Sequence, residues 1–126
     1  MPAEPASTPQ YTRLNLAGAV EFLGDRQGVC ELLPALATAL AKEVPEVAML
    51  LGEGAAADAA ARLHSLKGFV PVFCFAPLVE ELTRVERLSR RGATPEVITA
   101  YALLAQELQR LGLEAAHYLE HSAPTR

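Results

Sequence analysis

Residues 94–118 read TPEVITAYALLAQELQRLGLEAAHY, and the fold class is decided here. Thr94 offers a hydroxyl to free backbone amides, Pro95 suits a first helical turn, and Glu96 stands by the positive end of the helix dipole. Behind them Val97, Tyr101, Leu104, Leu108, Leu111, Ala115 and Tyr118 recur at alternating steps of four and three, which lines one face of a helix with apolar side chains. So long a seam must be covered by other elements, and composition says that these too are helices. The 126 residues include 23 Ala and 20 Leu against ten Val and Ile together. Straight-chain residues keep more rotamer freedom in a helix than β-branched ones do, so the expectation is an all-α domain.

Working back towards the N-terminus, Gly92 ends a fourth helix that Pro77 begins. Leu78, Leu82, Val85 and Leu88 form its apolar face, and Arg90 and Arg91 suit the negative end of its dipole. A third helix is predicted from about Ala55 to Phe73 on the stripe Leu63, Leu66, Val70 and Phe73. The second starts at Asp25 and carries Val29, Leu33, Leu36, Leu40, Val44, Val47 and Leu51 as far as Gly52 and Gly54. Pro34 and Pro45 are predicted to bend it or break it in two. Asn15 caps a short first helix over Leu16, Ala19, Val20 and Leu23 that stops at Gly24. Four longer helices on short connections predict an antiparallel up-and-down four-helix bundle, with the short N-terminal helix covering one end. The bundle is expected over residues 13–121. Residues 1–12 and 122–126, rich in Pro, Ala and Ser, are expected to be flexible tails, or a linker in the case of 1–12.

A chain of this length builds one core, which excludes a two-domain enzyme. Its formal net charge of −4 supplies no general attraction for nucleic acid or an anionic bilayer. No apolar run approaches the roughly 18 residues of a membrane span, and no secretory signal opens the chain, so no membrane insertion and a cytoplasmic location are expected. Cys30 and Cys74 lack metal-ligand spacing and sit among apolar residues, where reduced thiols are expected.

The chemistry gathers at His64. At about 100° per residue it lies well off the arc of Leu63, Leu66, Val70 and Phe73, and is expected to face solvent. Lys67 and Gly68 follow on its own face, Ala57, Ala60 and Ala61 precede it, and Pro71 comes after, so the ring stands among short side chains. Such an imidazole can act as a nucleophile towards a phosphoryl group while a nearby cation offsets charge on the equatorial oxygens. Lys67 can be that cation, as a flexible point charge. Gly68 leaves space for the group, at a cost of about 1 kcal/mol of helix stability relative to alanine.

In this helical setting, Leu63-His64-Ser65-Leu66-Lys67-Gly68 resembles the histidine-containing phosphotransfer (HPt) domains of bacterial two-component phosphorelays, and the similarity runs from Leu14 to Leu119. The resemblance implies that His64 accepts a phosphoryl group from a receiver-domain aspartate and passes it to another receiver, with Lys67 steadying the group and Gly68 leaving it room. The implied partner is the receiver domain of a response regulator or of a hybrid sensor histidine kinase, with magnesium bound to that receiver. The chain itself would act as a monomer without a cofactor or ATP-dependent kinase activity; no Gly-rich phosphate loop is present. The alternative is an adaptor of the same fold that binds a receiver or sensor kinase without accepting phosphate. The chain departs from the family pattern after Gly68, where Phe69-Val70-Pro71-Val72-Phe73-Cys74-Phe75 replaces small residues and a frequent second glycine. Pro71 and Phe75 are therefore placed with Ala57, Ala60 and Ala61 on the docking surface, and Phe69 and Phe73 in the core.

Two further groups read without a function. Glu80, Glu81, Arg84, Glu86 and Arg87 are spaced for helix-stabilising pairs and are expected on a solvated face. His117 and His121 lie one turn apart, a spacing that can bind a metal, but no third ligand accompanies them and no metal site is expected.

Overall fold

A computed structural model describes residues 11–121; the expectations for residues 1–10 and 122–126 lie outside the described residues. Five α-helices follow in order, α1 (Leu16–Leu23), α2 (Arg26–Gly52), α3 (Ala56–Lys67), α4 (Ala76–Ser89) and α5 (Pro95–His121), with a 3-10 turn at Val70–Val72 between α3 and α4. Polar caps start three of them. Asn15 Oδ1 accepts the Gly18 amide at 2.9 Å, Asp25 Oδ1 that of Gly28 at 2.7 Å, and Thr94 Oγ1 that of Val97 at 3.3 Å. Gly24 and Gly92 stop α1 and α4 at φ 105° and 126°, backbone conformations that a Cβ would strain.

α2 packs against α5 and α3, and α4 packs against α3 and α5, so the four longer helices enclose one core while α1 lies on α2. Arg26 at the start of α2 donates to the Tyr118 hydroxyl near the end of α5 at 2.8 Å, and further along Tyr101 donates to the Val44 carbonyl at 2.7 Å. In the same sense, Ser89 at the end of α4 donates to the Ala56 carbonyl at the start of α3 at 2.8 Å. The core is built from the periodic positions, among them Leu33, Leu36, Leu40, Val47, Leu63, Leu66, Leu82, Val85, Leu104, Leu108 and Leu111.

Three expectations are corrected. α2 does not break in two: Pro34 and Pro45 both sit exposed on its outer side, within one continuous helix, while seven stripe residues from Val29 to Leu51 are buried. At roughly 1.5–3 kcal/mol for each buried aliphatic side chain, that face outweighs about 3 kcal/mol for each interior proline. α3 ends at Lys67 rather than at Phe73. Pro71 has no amide to give to the Lys67 carbonyl, and its ring would clash with that carbonyl, so the chain tightens into the 3-10 turn. Finally, Tyr11 and Thr12, read as part of a loose tail, belong to the fold. The Tyr11 hydroxyl bonds to His117 Nδ1 at 2.8 Å and Thr12 donates to Glu114 at 3.2 Å. Next to them Arg13 grips Glu107 with two bonds of 2.7 and 3.0 Å, and buried Leu14 bridges to Cys74.

Candidate functional site

The site lies along the edge of the α3–α4 seam. Leu63 and Leu66 of α3 and Leu82 and Val85 of α4 are fully buried, and this packing fixes the two backbones against each other. His64 and Lys67, on adjacent turns, are thereby held beside Glu86 of α4. His64 Nδ1 is 3.1 Å from Glu86 Oε2 and Lys67 Nζ is 2.8 Å from Glu86 Oε1, while Arg90, one turn after Glu86, pairs with Oε2 as well. Exposure separates the partners sharply: the Glu86 side chain is 2% exposed, Lys67 30% and His64 67%.

A carboxylate this deep survives only if cations and hydrogen-bond donors surround it. Burial by itself would push the Glu86 carboxyl up. Hydrogen bonds from Lys67 and His64, with the charges of Lys67 and Arg90, more than offset it and hold the group below the ordinary glutamate range. Glu86 is therefore an anion, and an anion only accepts. His64 must donate through Nδ1–H, which in the neutral ring leaves the lone pair on Nε2. No described residue hydrogen-bonds to Nε2, so the exposed ring carries a free nucleophilic nitrogen.

Around the ring, Ala57, Ala60, Ala61, His64 and Arg90 line a shallow depression of about 410 Å³. A second hollow of about 110 Å³, lined by Lys67, Thr83, Glu86, Arg87 and Arg90, opens on the other flank of the Glu86 carboxylate. Of the residues expected beside His64, Ala57 and Ala61 line the depression and Lys67 lines the neighbouring hollow. Ala60 also lines the depression but is only 6% exposed. Gly68 follows the last residue of α3 with ordinary helical angles; no mid-helix glycine cost applies, and an added Cβ would come within 3.2 Å of the Ser65 carbonyl oxygen.

Pro71 is not on the His64 face. With α3 ended, it lines a separate groove against α1 with Asn15, Gly18, Glu21, Phe22 and Val72. Phe75 precedes the first residue of α4, is exposed, and lies outside the lining of the His64 depression. Phe73 is buried and Phe69 packs against the core, as expected.

Glu86 is the largest correction, since it was assigned to a solvated face. It and Arg90 are the site residues that the sequence reading missed. The signal was present: Leu78, Leu82, Glu86 and Ser89 continue the buried side of α4 at steps of four and three, so a carboxylate occupied an apolar register and required a partner from another helix. The remaining members of that charged run are partly or fully exposed, and Arg84 pairs with Glu81 at 3.1 Å.

The other histidines make no comparable site. His117 and His121 stack with ring centroids 4.2 Å apart, and His121 Nδ1 lies 3.0 Å from the His117 carbonyl. Among the described residues no three His, Cys, Asp or Glu side chains are grouped to hold a metal ion. Cys30 and Cys74 are free thiols, and burial pushes that of Cys74 up to about 11. No described helix is long and apolar enough to cross a membrane. No family model, curated protein or solved structure matches the chain.

Proposed function

We propose that this chain is a phosphotransfer protein in which His64 takes a phosphoryl group from the aspartyl phosphate of a receiver domain and hands it to a second receiver. The reading rests on the resemblance of Leu63–Gly68 to histidine-containing phosphotransfer domains. The observation that carries it is the exposed His64 ring held through Nδ1 by a buried carboxylate that also binds Lys67. On this reading the helices form an antiparallel up-and-down bundle with α1 over one end.

In the transfer step the Nε2 lone pair forms the N–P bond as the P–O bond to the aspartate breaks, and that bond's electron pair leaves on the aspartate carboxylate. No proton has to move, because Nδ1 keeps its hydrogen. The positive charge that develops on the ring is met by Glu86. Lys67 and Arg90 stand on either side of that carboxylate and offset charge on the equatorial oxygens. The methyl groups of Ala57 and Ala61 let a partner protein approach to bonding distance. The magnesium ion that activates an aspartyl phosphate comes with the receiver, and ATP is not a substrate. Return transfer to a second aspartate is the same step reversed, since the ring nitrogen and the carboxylate exchange the group directly.

The test is transfer of label from a receiver domain charged with radioactive acetyl phosphate. Wild-type protein should acquire acid-labile label and His64→Gln should acquire none. Label on both proteins removes His64 as the acceptor, and receiver binding without label on either supports the adaptor instead.

A further inference from the structure

Net positive charge around His64 lies on one side only. Towards α4, the hollow next to Glu86 gathers Lys67, Arg87 and Arg90 against a single carboxylate. Lys67 and Arg90 both pair with Glu86, whereas Arg87 has no salt bridge among the described residues. This flank therefore keeps an excess of positive charge although the whole chain is acidic at −4. Towards α2, the groove on the opposite flank of α3 is lined by Glu43, Leu50, Asp58, Ala61, Arg62 and Ser65. Its one cation, Arg62, is matched by Glu43 at 3.0 Å and Glu46 at 3.9 Å, so that flank is net negative. Ala61 lines both the acidic groove and the His64 depression, and a partner seated over His64 spans both fields.

We infer that the docking surface of the phosphoryl-donating protein is acidic where it meets α4, and that the one-sided field of Lys67, Arg87 and Arg90 sets the orientation in which the donor lands on His64. This rests on the phosphotransfer reading and adds the partner's surface chemistry and its direction. A field of this kind acts on encounter: it raises the association rate of a complementary surface and penalises the reversed orientation, in which like charges would face each other. Arg87 serves as the probe because, among the described residues, it carries its charge without an ion pair to Glu86 or His64.

The experiment compares Arg87→Glu and Asp58→Lys with wild type in two assays. One is labelling by phosphoramidate, a small donor that needs no docking. The other is transfer from receiver domains of the same genome charged with acetyl phosphate, at ~0.01 M and ~1 M salt, where the screening length falls from about 30 to about 3 Å. All three proteins should label equally with phosphoramidate. From the receiver, Arg87→Glu should transfer on the order of tenfold more slowly at low salt and close to wild type at high salt, while Asp58→Lys should transfer as fast as wild type or faster. Equal receiver rates for Arg87→Glu and wild type at low salt overturn the inference and leave the phosphotransfer reading standing. Absence of label on His64 from both donors overturns both.

Discussion

The α2–α5 seam and the α3–α4 seam are made by the same packing rules and do different things. Along α2–α5 the core positions are mostly leucine, valine and alanine, closed by the Tyr101 bond to the Val44 carbonyl and, at one end, by Arg26 on the Tyr118 hydroxyl. Along α3–α4 the buried side of α4 holds Glu86 and Ser89 where leucines could sit, and both reach across to α3. A dry seam gains stability from every methylene. A seam with a buried anion gives up part of that gain and obtains a fixed ring orientation and a fixed tautomer in return. The exposed imidazole thus stands at the polar edge of a seam whose remainder is apolar.

The largest effect that separates the two seams is Leu108→Ala. Leu108 is fully buried, and its truncation should cost about 3 kcal/mol in a denaturant titration. The rate of His64 labelling by phosphoramidate should be unchanged wherever the variant remains folded. A matching fall in reactivity would show that the site depends on the whole core and would break the comparison.

Glu86→Gln should reverse the pattern, with a loss of about 1 kcal/mol in stability but a fall on the order of tenfold in phosphoramidate labelling, because an amide no longer enforces Nδ1–H. Its pH profile sharpens the point. The folded carboxyl lies below the ordinary value of 4.5. The stability it contributes is therefore present above that value and is lost as pH falls through the lower folded-state value. Wild type should lose stability more steeply than Glu86→Gln below about pH 4.5, and parallel acid melts would show that the carboxylate contributes nothing. The smallest effect belongs to His117→Gln and His121→Gln. Each should leave labelling unaltered and stability within about 0.5 kcal/mol, which separates an imidazole held across a seam from two stacked at the end of α5.

Much of this was legible beforehand because it depends on neighbours in sequence. Caps at Asn15, Asp25 and Thr94, stops at Gly24 and Gly92, and the stripe of α5 all act within one or two turns, and each was found where the spacing put it. Pro71 was misjudged because two local rules competed: the stripe through Val70 and Phe73 argued for continuing α3, and the missing amide argued for ending it at Lys67. Pro34 and Pro45 do not break α2 for the opposite reason, since the burial that holds it as one helix is supplied by α3 and α5 and cannot be weighed within α2 itself.

The order of the five helices, their leucine and valine stripes and the exposure of His64 were readable from sequence, because periodicity of three and four is a property of one helix. The packing of α3 on α4 is what brings His64, Lys67 and Arg90 to the one Glu86 carboxylate. The register of Glu86 marks a carboxylate on the buried side of α4, but that helix taken alone does not show which groups face the carboxylate. Its partners sit 19 and 22 positions away in the chain, and only when two helices pack does water leave and the anion select the groups that must face it.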